Sequence, residues 1–494
     1  MTPYKTETEY SLGDVIANRM EVREVHIGGM AIVYICHDRQ DRILYALKTF
    51  QSKYLASSEA KQMFQREALL WAALGKHPNI VRAVWVDSWE AKPFIVLEYI
   101  RPDDRGRNSL SHYLSSLSVE EILNFSIQFC FGMEHAHSNG IDVHRDISPD
   151  NIMISPDKTV KITDFGLAKV ADDIDPEVGF SSSSGIHLEG VYKTMQRGKV
   201  RGKPQYMPPE QFEGKADKRS DVYSFGVVLH QMLTGGEFPS LDAKGELQHQ
   251  AQSPSPAATR LLEIVRKCIN DKPDKRFQNF AELRSEFQEL YYDLTAQTLS
   301  EPKVPEVTAQ DLNNLGVAWN HVNEYEKAID CFDRAIEKIP FWAWPWMNKG
   351  YALDDLRRYD EAIKCYDKAI ELKHDYPEAW QNKGVTLRKL SRYEEAIKCC
   401  VEAVKVDPSF INAWNVMARC LNQLGRHSEA VKCCDQALAI SPRFSQPWHQ
   451  RALALHALGS HAEALKSVEI TLQLNPQNLS ASSLRERIRS TIGG

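Results

Sequence analysis

Hydrophobic and polar positions along the chain change their rhythm several times. From about Tyr10 to Trp89 the apolar residues fall in short β-type runs, with one helical segment between them. Phe94 to Ile100, FIVLEYI, reads as a buried strand. Residues 119–140 carry the spacing of an amphipathic helix that runs into Gly140. Val160, Ile162 and Phe165 alternate, which suits short strands. A polar stretch from Thr295 to Thr308, with Pro302 and Pro305, reads as a linker. Beyond it the chain repeats itself every 34 residues. Gly316, Gly350, Gly384, Ala418 and Ala452 fill one column, and Ala328, Ala362, Ala396, Ala430 and Ala464 a second. A third column reads Ala335, Ala369, Ala403, Ala437, Thr471, and a fourth Pro340, His374, Pro408, Pro442, Pro476. Small residues recur where paired helices must touch, and proline recurs where the second helix must stop. The expectation is five helix pairs over 309–476, closed by a polar helix from about Asn478 to Ser490 within a final segment 477–494.

Composition narrows the class of molecule. At 494 residues the chain is long enough for about three domains. A net charge of −6 gives no reason to expect bulk binding to nucleic acid or to an acidic membrane surface. The first residues, MTPYKTETEYSLGD, are polar and lack the apolar core of a signal peptide, and no apolar run approaches the ~20 residues of a membrane span. Ten cysteines without a secretion signal read as reduced thiols, so a cytoplasmic location is expected.

The chemistry concentrates in residues 142–166, DVHRDISPDNIMISPDKTVKITDFG. Asp146 and Asn151 lie five apart, and Asp164 opens Asp164-Phe165-Gly166. Phosphoryl transfer needs cations to neutralise phosphate charge and a carboxylate to orient the attacking hydroxyl. This stretch closely resembles the catalytic core of eukaryotic-type protein kinases, of the bacterial Ser/Thr kind. The resemblance implies an α+β bilobal kinase fold over 10–294, with a small lobe to about residue 98 and a large lobe over 99–294. It makes Asp146 the catalytic base and Asn151 and Asp164 the metal ligands, with ATP and Mg²⁺ as cofactors.

Other motifs follow the same family in order. Against the pattern G-x-G-x-x-G-x-V, His26, Gly28 and Ala31 hold the glycine positions, so one glycine of three is kept, although Gly29-Met30 resembles the bacterial loop. Tyr45-Ala46-Leu47-Lys48 matches the strand carrying the phosphate-binding lysine, and Glu67 fits the acid that pairs with Lys48. By the same resemblance Ile27, Gly28, Gly29, Val33, Ala46, Lys48, Met153 and the backbone of Glu98 and Ile100 would surround ATP. Ser220 to Leu229 resembles the buried central helix of the large lobe, and Arg276 matches the arginine that pairs with Glu210.

Between Asp164 and Pro208-Pro209-Glu210 lies a long activation segment. It carries four serines, Ser181 to Ser184, followed by Lys193, Arg197, Lys199, Arg201 and Lys203. This basic run is either a solvated face or a dock for phosphate, and Arg145 beside Asp146 fits regulation by loop phosphorylation. Two residues depart from the family close to the chemistry. Ser148 stands where a lysine is usual, and Lys203 where a threonine is usual. Either Lys203 restores the cation that Ser148 lost, and both belong to the catalytic set, or Lys203 points to water.

The repeats look like tetratricopeptide repeats, which makes the second part an all-α solenoid. Cys331, Cys365, Cys399 and Cys433, with Cys400 and Cys434, are expected to be small core residues rather than a metal or redox ladder. The Trp346, Trp380, Trp414, Trp448 column is likewise expected in the core. Asn313, Trp344, Tyr351, Gln381, Arg388, Asn415, Arg419 and His449 are expected on the concave face. The clamp with which relatives hold chaperone C-termini is missing: its positions hold Asn313 and Val317, Met347 and Tyr351, Gln381 and Val385. The resulting expectation is an ATP-dependent Ser/Thr protein kinase whose solenoid recruits a protein or peptide partner. The alternative is a pseudokinase scaffold acting through its repeats alone.

Overall fold

A computed structural model describes residues 10–28, 31–51, 68–89, 92–165, 203–240 and 255–493. The chain divides into two compact units, residues 1–307 and 308–494.

The first unit opens with an antiparallel sheet of strands β1 (Val15–Ile16), β2 (Met20–Ile27), β3 (Ala31–Asp38), β4 (Leu44–Phe50), β5 (Ala83–Trp89) and β6 (Lys92–Glu98). Their spatial order is β1-β2-β3-β4-β6-β5. Register places Val33 opposite Lys48 and Lys48 opposite Ile95, which fixes the lysine at the sheet's centre. The period of two sorts the side chains by face. Ile32, Tyr34, Cys36, Tyr45, Leu47, Phe94 and Val96 form one buried cluster, roofed by Tyr10, Trp85 and Trp89. Val33 and Ala46, on the other face, stay half-buried.

The helical part follows. Helix α1 (Val119–Ser138) begins at a capping box in which Ser118 and Glu121 satisfy each other's free N–H groups. A short hairpin, β7 (Ile152–Ile154) with β8 (Val160–Ile162), lies beside it. Gly132 of α1 is forced to be glycine by close approach, because a Cβ there would sit 2.7 Å from the Asn79 carbonyl oxygen and 2.8 Å from Ile162. Helix α2 (Lys218–Thr234) is buried almost throughout, and α3 (Pro256–Cys268) and α4 (Phe280–Thr295) follow it among the described residues. The expected ion pair forms: Arg276, its side chain fully buried, donates to both Glu210 oxygens at 2.6 and 3.0 Å, and Ser220 Oγ donates to the same carboxylate at 2.7 Å. Removing one partner of such a pair strands a buried charge. Arg276→Leu is therefore expected to cost about 3–5 kcal/mol, read by urea denaturation of the full chain; a loss below about 1 kcal/mol would contradict it.

His77 gives this unit an acid sensitivity. Its ring is buried, stacks on His135 at 4.6 Å, and accepts from the Asn79 N–H at 3.1 Å, which requires the neutral form. Burial, then the charges of His135 and Lys161, lower its pKa to about 4. The folded state thus resists protonation that the unfolded chain accepts near 6.5, so the stabilisation is whole above that value and lost as pH falls toward 4. On the order of 3 kcal/mol is at stake. His77→Asn is expected to flatten the pH dependence of melting between 6.5 and 4, and an unaltered slope would contradict this assignment.

The second unit is eleven helices in sequence: α5 (Ala309–His321), α6 (Tyr325–Lys338), α7 (Ala343–Asp355), α8 (Tyr359–Leu372), α9 (Pro377–Lys389), α10 (Tyr393–Val406), α11 (Ile411–Gln423), α12 (His427–Ile440), α13 (Ser445–Ala457), α14 (His461–Leu474) and α15 (Leu479–Gly493). They stack as five pairs and a closing helix. The glycine column exists because the second helix of each pair presses on it: a Cβ at Gly350 would lie 2.7 Å from the Tyr366 ring. All ten cysteines of the chain are buried free thiols, and burial raises the pKa of Cys331 and Cys365 to about 11.

Two expectations are corrected here. The tryptophans are half-buried rather than core, because each indole N–H must reach the carbonyl that ends the preceding pair. Trp346 donates to Pro340, Trp380 to His374, Trp414 to Pro408 and Trp448 to Pro442, at 2.9–3.2 Å. Asn313 and Asn415 are only 3% and 4% exposed. Each bonds across to the next first helix, Asn313 accepting from Asn348 at 3.0 Å and Asn415 donating to Gln446 at 2.9 Å, so neither offers a binding surface.

Candidate active site

The catalytic loop is held from below by one buried carboxylate. Asp221 of α2 accepts from the backbone N–H of His144 at 2.8 Å and of Arg145 at 3.1 Å, and contacts His137 Nε2 at 3.2 Å. It is the acid in the first turn of α2, directly before the apolar part of the helix, and its anchoring role was not read in the sequence. Arg145 and Asp164 both adopt positive φ, 69° each, uncommon for side chains with a Cβ and held here by surrounding bonds. Phe165 packs between His144 at 4.7 Å and Trp71 at 6.0 Å, while Trp71 Nε1 donates to the Val81 carbonyl.

Asp146 sits in this loop with one oxygen assigned. Asn151 Nδ2 donates to Asp146 Oδ2 and to the Asp146 carbonyl, 2.8 Å each. The other oxygen, Oδ1, has no hydrogen bond among the described residues. Burial raises the Asp146 carboxyl above the ordinary range; the Asp164 charge adds to this, against the opposing effects of His144, Asn151 and Lys203. Lys48 Nζ lies 2.5 Å from Asp164 Oδ1. Glu67, the expected partner of Lys48, lies outside the described residues, as do Gly29 and the segment 166–202 with its serines and most of its basic run.

The described residues expected around the nucleotide come from three places in the first unit. Val33 and Ala46 come from the half-buried face of the sheet, and Met153 from β7. Ile27 is 68% exposed, at the end of β2. Gly28 N–H donates to the Ala31 carbonyl at 2.9 Å, closing the turn toward β3. The Glu98 side chain accepts from Arg82 N–H and Lys161 Nζ, both at 2.8 Å, and its N–H donates to the Arg82 carbonyl. Ile100 follows in the hinge, its carbonyl 3.5 Å from Asn108 Nδ2.

The two departures from the family meet. Lys203 is part-exposed, but its charged end is engaged. Its ammonium lies 3.3 Å from Ser148 Oγ and forms an ion pair with Asp150. Burial acts to raise the Asp150 carboxyl, but the Lys203 hydrogen bond and charge hold it below its ordinary value. Ser148 is fully buried and lies two residues after Asp146. Asp150 itself was not singled out in the sequence, since nothing local ties it to a lysine 53 residues away.

A hard divalent cation fits the remaining donors. Asn151 turns its amide nitrogen to Asp146, which leaves its carboxamide oxygen, and Asp164 keeps a carboxylate oxygen that Lys48 does not touch. Oxygen donors of this kind suit Mg²⁺.

The protein kinase domain family matches residues 20–294, and the tetratricopeptide repeat family matches 343–376, 377–410 and 411–444. A probable serine/threonine-protein kinase of Clostridium acetobutylicum is 32% identical over 288 residues, covering 56% of this chain and 40% of that protein. The serine/threonine-protein kinase PknB of Mycobacterium leprae is 32% identical over 322 residues, covering 61% and 46% respectively. The chain therefore spans less than half the length of these curated relatives. Among solved structures, the PknI kinase domain of Mycobacterium tuberculosis is 20% identical, with a TM-score of 0.41, over 57% of this chain and 100% of that one.

Proposed function

We propose, for a chain that belongs to the protein kinase domain family, that it transfers the γ-phosphate of ATP to Ser/Thr hydroxyls of proteins. The observation that supports this is that Lys48 contacts Asp164, Asn151 contacts Asp146, and the Asp164 charge acts on Asp146. Adenine lies between Val33, Ala46 and Met153, against the backbone of Glu98 and Ile100. Lys48 orients the phosphates as a fixed point charge. Asp164 and Asn151 would hold Mg²⁺, which when bound would neutralise phosphate charge. Asp146 accepts the proton of the incoming hydroxyl through Oδ1, while Asn151 fixes its other oxygen. Lys203, held by Asp150 beside Ser148, supplies a cation on the substrate side. The repeats recruit a peptide segment of a substrate or regulator.

The test is transfer of labelled γ-phosphate from ATP by the purified chain with Mg²⁺, onto itself or a general protein substrate. Label is expected as phosphoserine and phosphothreonine, and Lys48→Met is expected to remove it. Equal labelling by wild type and Lys48→Met would sink the enzyme reading and leave the scaffold.

A further inference from the structure

Among the first helices of the last three pairs lies a cavity of about 320 Å³, lined by Arg388, Tyr393, Arg419, Gln423, Gln450 and Leu453. Arg388 comes from α9, Arg419 and Gln423 from α11, and Gln450 and Leu453 from α13. Three successive repeats thus converge on one space. The chain carries more acids than bases overall, yet neither arginine has a carboxylate or hydrogen-bond partner among the described residues. Several other basic residues of the repeats are paired, Lys349 with Asp333, Lys383 with Asp367 and Arg451 with Asp435. Arg388 Nε is buried without a partner. Burial and the Arg388 charge both lower the Arg419 pKa, so the two cations repel each other across the cavity. Two half-buried guanidiniums facing one space repel each other unless an anion joins them.

We infer that this cavity binds the phosphoryl group of a phosphorylated serine or threonine in a peptide lying along the concave face. The inference rests on the reading that the repeats bind peptides, and adds what they recognise. Charge counting favours phosphate over carboxylate. A phosphoryl group carries about −1.5 to −2 at neutral pH with three acceptor oxygens. It satisfies two arginine forks, whereas a single carboxylate leaves one cation uncompensated. Gln423, Gln450 and Tyr393 line the same space, the Gln450 carboxamide oxygen accepting from Asn422 and the Tyr393 hydroxyl donating to Ser391. The site lies apart from the clamp positions noted above, which hold no matching cations.

The experiment uses the full chain and a short Gly/Ser peptide with one central phosphoserine, its glutamate and unmodified counterparts, and inorganic phosphate, followed by calorimetry. The phosphopeptide is expected to bind at least about tenfold tighter than either counterpart, since two charge-assisted forks depend on the phosphoryl group. Arg388→Gln and Arg419→Gln should each remove that advantage while melting no lower than wild type, because each relieves a buried repulsion. Lys48→Met should leave it intact, which separates this cavity from the kinase cleft. Equal binding of all three peptides would overturn the inference yet keep the peptide-binding reading; binding of none would overturn both. Tight binding of inorganic phosphate without any preference for the phosphopeptide, or loss in Lys48→Met alone, would also overturn the inference.

Discussion

An Asp146→Asn enzyme is expected to lose about 10²–10⁴-fold in kcat, the usual worth of a positioned general base, while its KM for ATP changes little. Asparagine keeps the volume of the side chain but cannot take a proton. Its carboxamide can still meet Asn151 at the position where Asp146 Oδ2 now accepts at 2.8 Å. The loop geometry should survive as well, since Asp221 fixes it through the backbone of His144 and Arg145 rather than through Asp146. In the proposed function ATP is held by other residues, Lys48 and Asp164 above all, which contact each other. Steady-state kinetics with saturating protein substrate separates the two effects. A variant with near wild-type kcat would show that the hydroxyl loses its proton elsewhere.

Lys203→Thr is expected to lower kcat about 10²–10³-fold, the effect of losing one electrostatic stabiliser of a transition state. The family places a lysine two residues after the catalytic aspartate and a threonine opposite it. Here the hydroxyl and the ammonium have exchanged places, and the structure brings them within 3.3 Å. Asp150 holds the ammonium by an ion pair, so the flexible stem of Lys203 is oriented at its charged end. Restoring the usual arrangement should restore the rate: Lys203→Thr with Ser148→Lys is expected to recover much of the lost kcat. The double change exchanges a buried hydroxyl for a lysine only where the space of the old one has been vacated. Unchanged turnover in Lys203→Thr would falsify the exchange.

Much of the fold was legible because it rests on local or periodic physics. The 34-residue period fixed the helix pairs, since each repeat must meet its neighbours through the same small columns. Asp146, Asn151 and Asp164 were legible because loop chemistry imposes fixed spacings on residues adjacent in the chain. Arg276 and Glu210 were legible through the family pattern, and their pair formed as expected.

The tertiary structure decided what depends on residues far apart in the chain. Whether Lys203 faced water or Ser148 turned on a neighbour 55 residues away, and no local pattern encodes that. Asn313 and Asn415 sit on first helices like the other concave-face candidates, yet a bond to the next helix buries them. Arg388 and Arg419 were both expected on the concave face, but as residues of two separate repeats. Only stacking places them on one cavity with no acid between, because a solenoid's inner face gathers side chains from successive repeats while each repeat's sequence specifies only its own helices.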